Sequence, residues 1–101
     1  MEQGARENML VAVMTFRLYA PWVHSLKEKR MVVRSLKAKL QNTFSVSVAE
    51  VDEQDVHQIA VIGVAAIVAH RAMADSLMDD LSRFVEENTE AEITEETREI
   101  R

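Results

Sequence analysis

His57–Ala69, HQIAVIGVAAIVA, is the stretch on which the fold turns. It is apolar at odd and even positions alike, rich in β-branched residues, and preceded by the polar segment Asp52–Val56. That pattern predicts a strand buried on both faces. Its uncharged run Ile59–Ala69 is eleven residues long, short of the roughly 20 that a membrane-spanning helix needs. Gly63 inside the run predicts a bulge or a close approach by a neighbouring chain segment. Upstream, Leu10–Leu18 (LVAVMTFRL) has the same two-sided character. Leu10, Ala12, Met14, Phe16 and Leu18 form one alternating set, and Val11, Val13, Thr15, Arg17 and Tyr19 form the other. This too reads as a central strand, closed by Pro21.

The segments around these two strands complete the pattern. Ser25-Leu26-Lys27-Glu28 fits a capping box, with Ser25 as N-cap and Glu28 reaching back to the Ser25 N–H. Leu26, Val33, Leu36 and Leu40 then recur at helical spacing, so a helix with one buried stripe should run to about Asn42. Ser45–Val51 alternates and predicts a second strand. Met73, Leu77, Leu81, Phe84 and Val85 mark a second helix, and Ala91–Ile100 reads as a charged edge strand. The order βαββαβ, with short loops and right-handed crossovers, predicts an α+β ferredoxin-like sandwich, an antiparallel sheet with both helices on one face. Residues 1–8 are polar and aperiodic, so they are expected to be a flexible N-terminal extension, not a signal peptide, and 9–101 a single domain.

The two central strands are apolar on both faces, yet the helices cover only one. A second copy of the chain is the simplest cover, so a homo-oligomer is expected, a dimer first. Val11, Val13 and Thr15 should lie in that face. They should be joined either by Ile59, Val61 and Ala65 or by Ala60, Ile62 and Val64, since a bulge at Gly63 would leave the register of the third strand open.

The 101 residues include no cysteine, which removes disulfide frameworks, thiol catalysis and cysteine-ligated metal sites and suits the cytoplasm. Known uses of the predicted fold can be tested against specific atoms. A metal chaperone needs a Cys pair. An acylphosphatase-like site needs a glycine-rich anion loop, but Tyr19-Ala20-Pro21-Trp22-Val23-His24 holds no glycine. An aromatic RNA platform needs rings on the third strand, and that strand has no Phe, Tyr or Trp. His24, His57 and His70 are scattered, and no serine or threonine stands in a nucleophile motif. These observations point away from an enzyme, name no catalytic residue and imply no cofactor. The acidic segment Glu50, Asp52, Glu53, Asp55, His57 leaves a metal or small-ligand site as a lesser alternative, with Glu50 and Asp52 expected on one side of the strand.

Charge supplies the best functional lead. Residues 1–44 carry eight Lys/Arg against three Glu, whereas residues 45–101 carry four Arg against fourteen Asp/Glu. Overall the chain is at −5, unlike a dedicated nucleic-acid binder. Six cations nevertheless fall between Lys27 and Lys39. Lys27, Arg30, Arg34 and Lys37, at spacings of three, four and three, share one helix face beside the apolar stripe. Lys27, Lys29 and Arg30 occupy the first turns, where the helix dipole disfavours them. Lys27, Lys29, Arg30, Arg34 and Lys37 are therefore the candidate anion-binding residues. The competing expectation is that their heads pair with the acidic loop or the acidic second half of the chain.

Two stretches then resemble a known family. Ser25–Arg30 (SLKEKR) and Ser45–Asp52 (SVSVAEVD), the latter followed by Gln54-Asp55 and Gln58, are similar in sequence and separation to the YlxP-like family of small bacterial proteins of unknown function. The resemblance runs from Met9 to the closing Arg98-Glu99-Ile100. It implies a ferredoxin-like fold and, because members are often encoded beside translation-initiation and ribosome-maturation factors, work around the ribosome or RNA. It also marks Glu50, Asp52, Gln54, Asp55 and Gln58 as a family-motif loop, with His57 where relatives often carry a large aromatic. The expectation is a non-catalytic accessory factor that docks on RNA or a ribonucleoprotein through its basic first helix. The alternative is a homo-oligomeric protein–protein interaction module.

Overall fold

Pro21 and Trp22 occupy the corners of a tight turn, closed where the Val23 N–H meets the Ala20 carbonyl at 3.1 Å, and this turn separates the first strand from the first helix. The computed structural model describes residues 9–101; the expected N-terminal extension lies outside the described residues. In chain order the elements are β1 (Leu10–Tyr19), α1 (Leu26–Thr43), β2 (Ser47–Asp52), β3 (Ile59–Val68), α2 (Arg71–Asn88) and β4 (Glu92–Ile100). The strands form one antiparallel sheet in the order β2-β3-β1-β4. This is the α+β ferredoxin-like arrangement, with β1 and β3 at its centre. No helix among the described residues is long and apolar enough to cross a membrane.

Alternation along the central strands builds the core. Ala12, Met14, Phe16 and Leu18 of β1 and Ala60, Ile62, Val64 and Val68 of β3 are buried beneath the helices. Leu36 and Leu40 of α1 and Ala74, Met78, Leu81 and Val85 of α2 close over them. Phe44 and Phe84 meet edge to face at 5.2 Å, tying the end of α1 to α2. The pairs Val13↔Ala65 and Arg17↔Val61 decide the orientation that the sequence left open. Ile59, Val61 and Ala65 share the helix-free face with Val11, Val13 and Thr15. The charged strand is at an edge, as expected.

The differences from expectation are local. Met73 is 45% exposed and its neighbour Ala74 takes the buried position, because His70 caps α2 through Nδ1, which accepts from the Met73 N–H at 3.2 Å. β3 starts at Ile59, two residues late, since Gln58 belongs to the entering turn, where its carbonyl accepts from the Ala20 N–H at 2.8 Å. Gly63 is not a bulge in its own strand: the β1–β3 register runs through it unbroken. The irregularity sits opposite, in β2 between Glu50 and Asp52. A Cβ on Gly63 would stand 2.9 Å from Val51 Cγ1, so the glycine provides the close approach that the bulged Val51 requires.

Candidate functional site

Helix α1 begins as its sequence dictates. Ser25 Oγ accepts from the Glu28 N–H at 3.1 Å, and the Glu28 carboxylate accepts in return from the N–H of His24 at 2.9 Å, one residue before the expected Ser25. The Glu28 carboxylate is thus turned back to the helix N-terminus and makes no ion pair with the neighbouring cations among the described residues. Lys27, Arg30 and Arg34 are exposed and Lys37 is half-buried. Among the described residues none of these four makes an ion pair. The flank of α1 that carries Ser35 and Lys39 faces Asn88–Glu90 at the end of α2, across a groove shared with Trp22 and Met31. Helical geometry places the stripe of four away from that groove, over the β2 side of the sheet.

Three of the four cations on the acidic half are arranged differently, Arg71 alone making no ion pair among the described residues. Arg83 pairs with Asp80 at 3.2 Å, and Arg101 with Glu99 at 2.9 Å. Arg98 lies between Asp79 at 2.6 Å and Glu96 at 3.0 Å. Hydrogen bonds to the Asp79 and Glu96 side chains raise the Arg98 pKa above its usual value. Intramolecular neutralisation is therefore available in this fold, and the α1 stripe does without it.

Lys29 stands apart from the other candidates. It is only 3% exposed, and its ammonium lies 2.7 Å from Glu50 Oε2. It also donates to the Glu53 carbonyl and, at 2.7 Å, to the Val56 carbonyl. All three N–H donors of the ammonium thus face protein oxygens. Glu50 Oε2 is shielded from solvent and accepts no directional hydrogen bond, so the nearby positive charge is its compensation. Lys29 is a brace between α1 and the segment after β2. Its sequence position announces this: it falls three residues after Leu26 and four before Val33, inside the apolar stripe itself.

The family-motif loop is held by the same brace. Glu53 adopts a left-handed backbone with φ of 57°, a conformation that costs a side-chain-bearing residue about 1 kcal/mol. Three contacts hold it there: the Lys29 donation to its carbonyl, Asp52 Oδ1 accepting from its N–H at 2.8 Å, and its carboxylate on Arg17 at 2.9 Å. Gln54 donates to the Glu50 carbonyl at 3.3 Å, and Gln58 to the Pro21 carbonyl at 3.0 Å. Asp55 and His57 are exposed. Sequence reasoning did not single out Arg17, although a lone cation in an apolar strand was the available signal. The bulge at Val51 separates Glu50, opposite Ile62, from Asp52, opposite Val61. The expectation that both share one side is thereby corrected. Among the described residues no three Asp, Glu or His side chains converge in a geometry able to hold a metal ion.

A βαββαβ sheet whose first helix is pinned by a buried Lys–Glu pair, with four outer cations that make no ion pair among the described residues, defines the class: a small ferredoxin-like α+β module. Residues 11–98 match the family described as "Protein of unknown function (DUF503)", and the chain belongs to that family. It is similar to the "Uncharacterized protein YlxP" of Bacillus subtilis (strain 168), 34% identical over 70 residues that span 69% of this chain and 76% of that protein. The two segments that carry the YlxP-like resemblance are the ones that Lys29 joins in space.

Proposed function

We propose that this chain is a non-catalytic cytoplasmic accessory protein that docks on RNA or a ribonucleoprotein, such as the ribosome, through the outer face of α1. The observation that carries the reading is the stripe Lys27, Arg30, Arg34 and Lys37, which makes no ion pair among the described residues in a chain of net charge −5. Ten residues of helix separate Lys27 from Lys37, about 15 Å along the axis, enough to follow several phosphates of one strand. Two of the cations sit in the first turns against the helix dipole, an arrangement that an anionic partner relieves. The buried Lys29 and the loop from Glu50 to Gln58 fix the helix against the sheet, so the stripe is presented on a rigid support. Affinity purification of the tagged chain from its native cell, with and without ribonuclease, tests the reading. Ribosomal proteins that are lost on nuclease treatment are the expected result. A single nuclease-resistant acidic protein would replace RNA with a protein partner.

A further inference from the structure

The face of the sheet opposite the helices is the other unaccounted surface. Ile67 projects from β3 with 71% of its surface exposed, and Val51 is 52% exposed. Four residues along β3 from Ile67, an apolar depression of about 290 Å³ opens beside Gly63, walled by Val13, Ala49, Val51 and Ala65. A projecting side chain and a depression therefore lie on one strand, one face, and about 13 Å apart.

We infer that this face joins two copies of the chain, with Ile67 of each copy seated in the depression beside Gly63 of the other. A two-fold axis that lies in the interface and crosses β3 at Ala65 performs the match: it reverses the strand, bringing residue 67 over residue 63 and residue 65 over itself. Val13, the register partner of Ala65 on β1, falls on the same axis. Each contact is made twice by one surface, which is the property of an isologous interface. The area is adequate. Four strands at about 4.8 Å spacing and about 30 Å long present about 600 Å², or about 1,200 Å² over both copies, the lower end of the range for specific interfaces. Charges on this face lie toward its periphery: Arg17 pairs with Glu53 and Arg101 with Glu99, while Glu92 and Glu95, opposite Tyr19 and Arg17, make no ion pair among the described residues and sit on the edge strand β4. Both α1 helices remain on the outside.

Sedimentation equilibrium of the full chain at tens of micromolar should give twice the chain mass. Ile67→Asp should leave the far-ultraviolet circular dichroism unchanged, because an exposed side chain adds little to the core, while raising the dissociation constant by about thirtyfold or more. The chain has no cysteine, so Ala65→Cys supplies a single thiol, which a short bis-maleimide should link to its symmetry mate; Ala38→Cys, on the outer side of α1, should not link. A single-chain mass at tens of micromolar overturns the inference, as does a dimer indifferent to Ile67→Asp or one in which Ala65→Cys fails to link. A wild type that dimerises only after removal of residues 1–8 also overturns it, by assigning the face to the chain's own N-terminus.

Discussion

Replacing Lys29 with methionine keeps the aliphatic stem and removes the charge from the brace between α1 and the family-motif loop. The ammonium now faces Glu50, the Glu53 carbonyl and the Val56 carbonyl, so its loss leaves a carboxylate without its counter-charge and two carbonyls without their donor. Removing one partner of a buried ion pair costs about 3–5 kcal/mol. Glu50 retains 19% side-chain exposure and can turn partly toward water, so the lower end, about 3 kcal/mol, applies here. For a domain of this size that is a fall of about 12–24 °C in Tm. Urea unfolding followed by circular dichroism measures it. Hydrogen exchange should show the backbone of 50–57 opening well before the rest of the sheet. Adding Glu50→Gln to Lys29→Met should restore about 1–2 kcal/mol, since a neutral amide no longer needs the cation. A Lys29→Met protein within about 0.5 kcal/mol of wild type would refute the brace and return Lys29 to the solvent face with the other cations.

Arg34→Glu, on the exposed face of α1 with no ion pair among the described residues, should change stability by no more than about 0.5 kcal/mol in urea unfolding while weakening RNA capture on a filter at low salt. Gly63→Ala should cost about 1 kcal/mol, because its new Cβ meets Val51 Cγ1 at 2.9 Å. In a Val51→Ala background the same change should be neutral or stabilising by up to about 1 kcal/mol, as the entropy cost of a strand glycine is removed. His70→Asp should raise the melting temperature through a gain of about 0.5–1 kcal/mol, since a carboxylate caps the α2 N-terminus and complements its dipole better than an imidazole.

Elements with a strong periodic signal were legible in the sequence: β1 and β3 from their apolar runs, α1 from its capping box and stripe, and the βαββαβ order from their succession. The orientation of β3 was not, because a strand apolar on both faces carries no alternation to point it. Gly63 predicts a bulge or a close approach, and the structure has the close approach at Gly63 and the bulge in β2, since a glycine shows where room exists and not which neighbour uses it. The site divided in a similar way. Charge spacing grouped Lys29 with Lys27 and Arg30, whereas hydrophobic spacing grouped it with Leu26, Val33, Leu36 and Leu40. Its burial followed the second pattern, because the carboxylate that balances its charge and the carbonyls that accept its protons lie 21 to 27 residues downstream and become visible only in the folded chain. The left-handed Glu53 was hidden for the same reason: its contacts with Arg17 and Lys29 are tertiary.

The central claim is that the four outer cations of α1 are a phosphate-binding face, and the salt dependence of binding to a single-stranded RNA oligonucleotide tests it most directly. Four phosphate contacts predict a slope of about −2.8 in log K against log salt. Lys27→Ala/Arg30→Ala/Arg34→Ala, which leaves Lys37, should fold normally and bring the slope to about −0.7. Trp22, the chain's single tryptophan and 43% exposed, serves as a folding control in both proteins. Absence of binding at low salt, or a slope unchanged by the triple substitution, would contradict the claim.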